Sequence, residues 1–571
     1  MKTLLRRSKS AQYFFQFVLV FSFLVLGASS SWAIVVTNTN DSGAGSLRAA
    51  ITTANGDGVA TTITFDAAVF PATIFPVNQL PALTGAGDTI DGTGSGVVID
   101  GSGTVANGLR IRRSNITVRG LRIQNFTNDG IQVDTQGPSA VVTGVLITGN
   151  TLLGNGNRGI RVSGGSGPGK TVSAAVTNNT LFENVRGITV HGNLFDIGQG
   201  TDPGGNTVTV LVDGNTVKRS NQGLNSNALF AGDGIQIVGG IGDGSNNVVT
   251  ATVSNNDVKE NRDDGIVVLG CGLEDAGSNN TVYARVINNV VENNGLKPIL
   301  TTNHGIVVAG ASGENGTDTT CDGNEVWFEI SNNDSKGNAT RNIQVSGGTG
   351  TGHDLQGIIS GNLALGVTPQ LTTQLDGILV SGGVGDGHTV HDVTITGNTT
   401  NGNLDRGINI SGGAGTNATV ARIEVYSNIS LENGNHGIQA NGGTGSDNTV
   451  KNVLISENTS MRNTNEGISL TVGTGTNNSV SVDAIRDNET NSNGRDGIGI
   501  RTGVTGSATP VSGNRADRNG QDGIDIDATG YVLSNNTASR NIAAGIDAVG
   551  NTNGGGNKAV GNASCNTPGC F

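Results

Sequence analysis

Residues 406–435 read RGINISGGAGTNATVARIEVYSNISLENGN, and residues 436–465 read HGIQANGGTGSDNTVKNVLISENTSMRNTN. The second stretch repeats the plan of the first, residue class for residue class. A Gly-Ile pair opens each. The series runs Gly130, Gly159, Gly187, Gly234, Gly265, Gly305, Gly377, Gly407, Gly437, Gly467, Gly497, Gly523 and Gly545. Gly108 precedes it with Leu109, and Asn342-Ile343 keeps the phase once without the glycine. The step is 30 residues from Gly377 through Gly497 and 22 from Gly523 to Gly545. Self-similarity at a fixed period of this size marks a solenoid.

Within each unit the apolar period is two. Ile408 and Ile410 alternate with Asn409, and Ile423 and Val425 alternate with Glu424 and Tyr426. Short alternating runs bounded by Gly and Asn read as strands. Three strands per unit, each ending in a bend, close a coil. Asn recurs after the second strand, at Asn150, Asn179, Asn215, Asn256, Asn289, Asn333, Asn362, Asn398, Asn428, Asn458, Asn488, Asn514 and Asn536. A second column includes Asn433, Asn463, Asn493, Asn519 and Asn541. Asn tolerates left-handed backbone and bonds nearby main chain. Stacked coil on coil, these side chains form a ladder that satisfies buried polar groups.

This pattern resembles the right-handed parallel β-helix of the pectin-lyase-like superfamily, over residues 108 to about 560. The resemblance implies an all-β solenoid of about fifteen coils, a rod roughly 70 Å long at ~4.8 Å per layer. NTNDSGAGSLRAAITTANGDG, residues 38–58, is similar to a segment that opens secreted bacterial β-helix proteins. Its core, SLRAAITTAN (46–55), is the best amphipathic helix candidate, and a solenoid needs its last apolar layer capped. The chain divides into a leader (1–33), an N-terminal cap with the first strands (34–107), the repeats (108–560) and a tail (561–571).

The leader MKTLLRRSKSAQYFFQFVLVFSFLVLGASSSWA has a basic start, an apolar run and small residues at Ser31 and Ala33, as a secretory signal does. The whole chain carries a formal charge of −13. Removing the leader with its four basic residues leaves −17. So acidic a chain is a poor partner for nucleic acid. No later apolar run reaches spanning length. The expectation is a secreted or extracellular monomer whose partner is an extracellular polysaccharide or cell-surface glycan.

GGSGPGKT (164–171) matches the phosphate-loop pattern. That loop presents its N–H groups at the start of a helix, whereas TVSAAVTNNT, which follows, reads as strand and bend. The same loop recurs in phase as GGVGDGHT and GGTGSDNT without the lysine. Loops rich in Gly and Asp offer oxygen ligands, which makes calcium the one cofactor to consider. They lack the Asp spacing of an EF-hand, and turn chemistry explains them as well. No clustered His or C-x-x-C points to zinc. Export favours disulfides, and the positions suggest the local pairs Cys271–Cys321 and Cys565–Cys570.

The resemblance implies chemistry on acidic polysaccharides by a lyase, hydrolase or epimerase, beside loops on an outer strand face. Such chemistry needs a cation against the uronate carboxylate and a base for its neighbouring proton. On the outward positions of the Gly-Ile strands, Asp134, Arg161 and His191 lie on three successive layers, with Arg158 and Arg186 at their edge. They are the catalytic and substrate-binding candidates: Arg161 to neutralise a carboxylate, His191 as base, Asp134 to orient a hydroxyl. All are expected to face solvent. The long coil from 187 to 233 adds loops nearby. The charges that precede each Gly, from Asp129 to Asp522, read as a solvated edge. Arg501, Asp525, Asp527 and Asp547 cluster on the terminal coils. Tyr283 and Trp327 align outward on successive coils as a stacking surface for sugar. The Asp-pair, Gly-His-Gly and Arg-x-Lys signatures of the superfamily's hydrolases are absent. A non-catalytic scaffold or adhesin is the alternative.

Overall fold

The computed structural model describes residues 32–564, except 86, 137–139, 194–203, 224–231, 243, 273–276, 296–302, 312–320 and 367–374. Cys565 and Cys570, residues 1–31 and parts of the long coil lie outside the described residues. Three parallel sheets of 15, 18 and 17 strands run the length of the molecule. Sheet 1 holds the Gly-Ile strands, such as Ile408–Ser411; sheet 2 follows in each coil, as Thr419–Tyr426; sheet 3 closes it, as Ile429–Leu431. Each strand pairs with its equivalent one coil on: Ile408 with Ile438, Val425 with Ile455, Ser430 with Ser460. The chain is a right-handed parallel β-helix. Eighteen layers in sheet 2 give a rod of about 80 Å. Inward Ile and Val from sheets 1 and 2 stack in one continuous core. No helix of the described residues is long and apolar enough to cross a membrane.

The first Asn column is an unbroken ladder. Each Nδ2 donates to the Oδ1 of the next coil at 2.9–3.1 Å, from Asn150 to Asn179 through Asn514 to Asn536. The left-handed residue of this bend is not the ladder Asn itself. It is the residue before, such as Ser427 (φ 55) or Glu457 (φ 58). The ladder Asn keeps ordinary backbone so that its amide reaches inward.

The second column and the backbone of the next coil explain the glycine of the Gly-Ile pairs. A Cβ on Gly437 would lie 2.6 Å from Asn463 Nδ2 and 1.8 Å from Ser460 Oγ. Where the bend carries its own Asn, a side chain at the glycine position would take the place of the ladder amide. The second column also explains the one departure. The bend that follows the strand Leu363–Leu365 carries no Asn in its sequence. Asn342, which replaces the glycine, supplies the rung: it accepts from Asn338 at 3.1 Å and donates to Asn403 at 3.0 Å.

A third ladder, at the start of sheet 2, went unread in the sequence. It runs from Asn206 through Asn247, Asn280 and Asn324, then continues through two histidines. Asn324 N–H donates to His353 Nδ1 and His353 N–H to His388 Nδ1. The two buried rings stack with centroids 4.8 Å apart. The His of the fragment GHD (352–354) is thus a rung.

The helix forms at Leu47–Asp57, capped by Ser46, and buries Leu47, Ala50, Ile51 and Ala54 on the first layers. The Gly-Lys loop at 164–170 leads into the strand Thr171–Thr177, so it has no helix to present to a phosphate. Cys271 and Cys321 form a disulfide with Cα atoms 6.4 Å apart. Acidic residues of the Gly-rich loops bond the next coil, as Asp386 accepts from Thr416 and Asn417.

The outer face of sheet 1 is not a solvent face. Its outward residues Val238, Val267, Leu269, Val307 and Ala309 form a second buried apolar cluster, with Ile241 of the following excursion packed on it. Position on the outside of a strand is fixed by the period of two, but exposure depends on what else crosses that strand.

Candidate functional site

The patch expected to face solvent is buried as well. Asp134 is 0%, Arg161 1% and His191 1% exposed. They do occupy three successive strands, but in two columns. Ser163 registers with His191, and Arg161 registers with Thr189 and Gln132. They also bond to other groups. Asp134 accepts from Arg112 Nε at 3.0 Å, from Gln136 N–H at 2.8 Å and from the Gln132 amide. Arg161 Nε lies 3.2 Å from Asp129 Oδ2, and Arg158 Nη1 3.5 Å from Asp129 Oδ1. Burial drives His191 well below its ordinary pKa, and the charges of Arg158, Arg161 and Arg186 add to the fall, while a hydrogen bond with Gln236 opposes it. The imidazole is therefore neutral and a weak base.

The charge column before each glycine is largely buried rather than solvated. Asp129, Asp233, His304, Asp376, Glu466 and Asp496 are all buried. Where the sign changes along the column, a charge meets its opposite one layer away, which makes its burial tolerable. Asp376 takes Arg341 at 3.4 Å and Arg406 at 2.8 Å. Glu466 takes His436 Nδ1 at 2.7 Å. The sequence shows the column; it does not show that the neighbouring turns close over it.

At two places acid meets acid. Asp233, Asp263 and Asp264 bring carboxylate oxygens within 4.8 Å of one another, as do Asp496, Asp522 and Asp525; either group could hold a metal ion. At the first, burial pushes Asp233 and Asp263 up, and the charge of Asp233 adds to the rise of Asp263, while Arg186 opposes both. At the second, Arg501 is the hub. It bonds Glu466 and Asp496 at 2.6 Å each, and Asp525 as well, with Asp527 at 3.5 Å. Burial raises Glu466, but His436 and Arg501 outweigh it and hold the carboxyl at about 2. Burial, with the Asp496 and Asp527 charges, lifts Asp525 to about 6 against the Arg501 bond.

The outer face of sheet 2 is open. Tyr283 registers with Trp327 on the next coil, and their rings lie 6.2 Å apart at 30°. Tyr283 is 42% exposed and Trp327 half-buried. Beside them, two residues along the same strands, Arg285 Nε meets Glu329 Oε2 at 2.7 Å. This pair stands where the sequence placed it, because none of the described residues crosses this part of sheet 2.

Residues 33–215 match the family described as "Protein of unknown function (DUF1565)". No curated protein matches the chain. Among solved structures, the Dettilon tailspike protein (gp208) is similar at 15% identity and TM-score 0.41, over 71% of this chain and 68% of its own. The periplasmic alginate epimerase AlgG is similar at 11% identity and TM-score 0.31, over 88% of this chain and 85% of its own. The Azotobacter vinelandii mannuronan C-5 epimerase AlgE4 A-module is similar at 14% identity and TM-score 0.30, over 77% of this chain and 95% of its own. The registers of its own three sheets make this chain a right-handed parallel β-helix.

Proposed function

We propose that the protein is an extracellular polysaccharide-binding rod that holds glycan on the outer face of sheet 2. The carrying observation is the Tyr283/Trp327 pair. The chain has only four Tyr and two Trp, and one of each stands side by side on the outer face of sheet 2. A ring with an apolar face and a polar tip suits a pyranose, which offers a C–H face and a hydroxyl rim. Affinity electrophoresis against a panel of neutral and acidic polysaccharides tests this. Wild type is retarded by at least one of them. Trp327→Ala and Tyr283→Ala each weaken that retardation at least tenfold without changing the fold, since neither ring belongs to the core. Retardation unchanged in both variants removes the reading.

Catalysis is the second reading, and the raised carboxyls of Asp233 and Asp263 favour it. A carboxyl kept protonated near neutral pH is suited to act as general acid. On this reading Asp263, which is partly exposed, donates the proton. Arg186 and Arg262 balance its charge. Asp263→Asn then lowers turnover of a polyuronate about a hundredfold or more, measured with and without calcium. A wild type that turns over neither polyuronates nor neutral glycans ends it.

A further inference from the structure

On four consecutive layers of the outer face of sheet 2, four exposed or half-exposed apolar side chains stand one to a layer, Val248, Tyr283, Trp327 and Ile358, with Ile287 to one side on the Tyr283 strand. They do not stack in one column. Val248 registers with Thr281, two residues before Tyr283. Trp327 continues the column of Tyr283, and Ile358 registers with Glu329, two residues after Trp327. The four therefore mark a line that crosses the sheet obliquely. With ~4.8 Å per layer and about 6.6 Å per two residues, the line is about 20 Å long. Apolar side chains scattered singly on a surface need no explanation, but a continuous track of them inside a polar face does.

The charges along this track say what lies on it. Arg285 is matched by Glu329 at 2.7 Å. Beyond the track, Asp354 holds His391 at 2.7 Å, and Asp392 holds Arg422 at 2.7 Å. Glu325 is the exception. It is exposed, no described residue forms an ion pair with it, and its charge bears on the Tyr283 hydroxyl. A polyuronate would bring a carboxylate on every residue to a track that has, among the described residues, one unmatched anion and no unmatched cation beside it. An uncharged chain meets no such penalty.

We infer that the sheet 2 face binds an uncharged polysaccharide, laid obliquely from Val248 over Tyr283 and Trp327 to Ile358. This rests on the reading of sheet 2 as the glycan face. The apolar faces of successive pyranoses cover the four side chains, while Gln356, Thr250 and Glu325 take hydroxyls at the edges.

Calorimetric titration of the full chain at low salt tests it. The probes are neutral glucan, xylan and mannan oligosaccharides of two and six residues, with hexagalacturonate as the acidic probe. A neutral hexasaccharide binds at least tenfold tighter than hexagalacturonate, and Glu325→Gln narrows that gap. Trp327→Ala costs at least tenfold. Ile358→Asn weakens the hexasaccharide at least threefold and leaves the disaccharide unchanged. Tighter binding of hexagalacturonate, still lost in Trp327→Ala, overturns the uncharged class and keeps the platform. Equal loss of both lengths in Ile358→Asn overturns the oblique track. No binding of any probe, or a dimer in sedimentation that Trp327→Ala dissolves, overturns the inference together with the glycan reading beneath it.

Discussion

Asn458→Leu opens the coils on either side of it, at a cost of about 3–4 kcal/mol from the polar groups it strands. Its buried side chain accepts from Asn428 N–H and Nδ2 at 3.0 Å each, and donates to the Val425 carbonyl at 2.9 Å and Asn488 Oδ1 at 3.0 Å. Leucine has nearly the same volume and satisfies none of them. A buried donor left without a partner carries its full desolvation cost, so the loss exceeds the worth of one ordinary hydrogen bond. In a solenoid each coil touches only its neighbours, so the damage stays local. Hydrogen exchange is the right measurement: amides of coils 428–488 exchange faster by two orders of magnitude or more, while those of coils 131–190 keep wild-type rates. Lys451→Ala, on the exposed face of the same region, stays within about 0.5 kcal/mol of wild type. Uniform protection in Asn458→Leu would mean that the ladder is ornamental.

Arg501→Ala has a comparable effect on the last coils, with a pH signature. Removing the hub leaves Glu466 and Asp496 buried without their shared cation, a loss of about 3–5 kcal/mol for a buried pair broken on one side. The sign with pH follows from linkage. Glu466 is held at about 2 in the folded chain. Its contribution is therefore present above its ordinary pKa and is lost as pH falls from about 4.5 toward 2. Asp525, lifted to about 6, works the other way: it favours the folded chain at low pH and ceases to do so as pH rises through about 6. Without Arg501 all these carboxyls gain protons more readily. The deficit of Arg501→Ala is then greatest at pH 7–8 and shrinks below about pH 5. Urea unfolding of the C-terminal coils, followed by proteolysis across that range, shows this. A deficit that grows on acidification contradicts the assignment. Arg501→Lys restores part of the loss, since an ammonium supplies charge without the planar fork that reaches three carboxylates at once.

Both predictions concern groups whose presence was plain in the sequence and whose environment was not. Arg501 and Asp525 could be placed together on the terminal coils, because strand register follows directly from the repeat. That Glu466 and Asp496 join them could not, because they precede a glycine and look like turn residues at the surface. Asp134, Arg161 and His191 failed in the same manner. Their layers were right and their exposure was wrong. The third ladder was missed for another reason: His353 and His388 interrupt the Asn signal, and a search by residue type stops where a different side chain does the same work.

What the sequence by itself determined is everything that depends on period. Alternation of two sets which side chains point inward, the step of about 30 sets which strands pair, and the Gly and Asn columns follow from the closeness of stacked coils. The capping helix and the Cys271–Cys321 pair were legible for the same local reasons. Tertiary structure alone decided which outward faces meet water. That depends on how the excursions between strands fold back, as Ile241 packs on the outer face of sheet 1 over neighbouring coils while none of the described residues crosses sheet 2 at Tyr283. Burial is a property of the whole assembly of coils, and it converts a row of apparent surface charges into a buried ladder while leaving two aromatic rings in solvent.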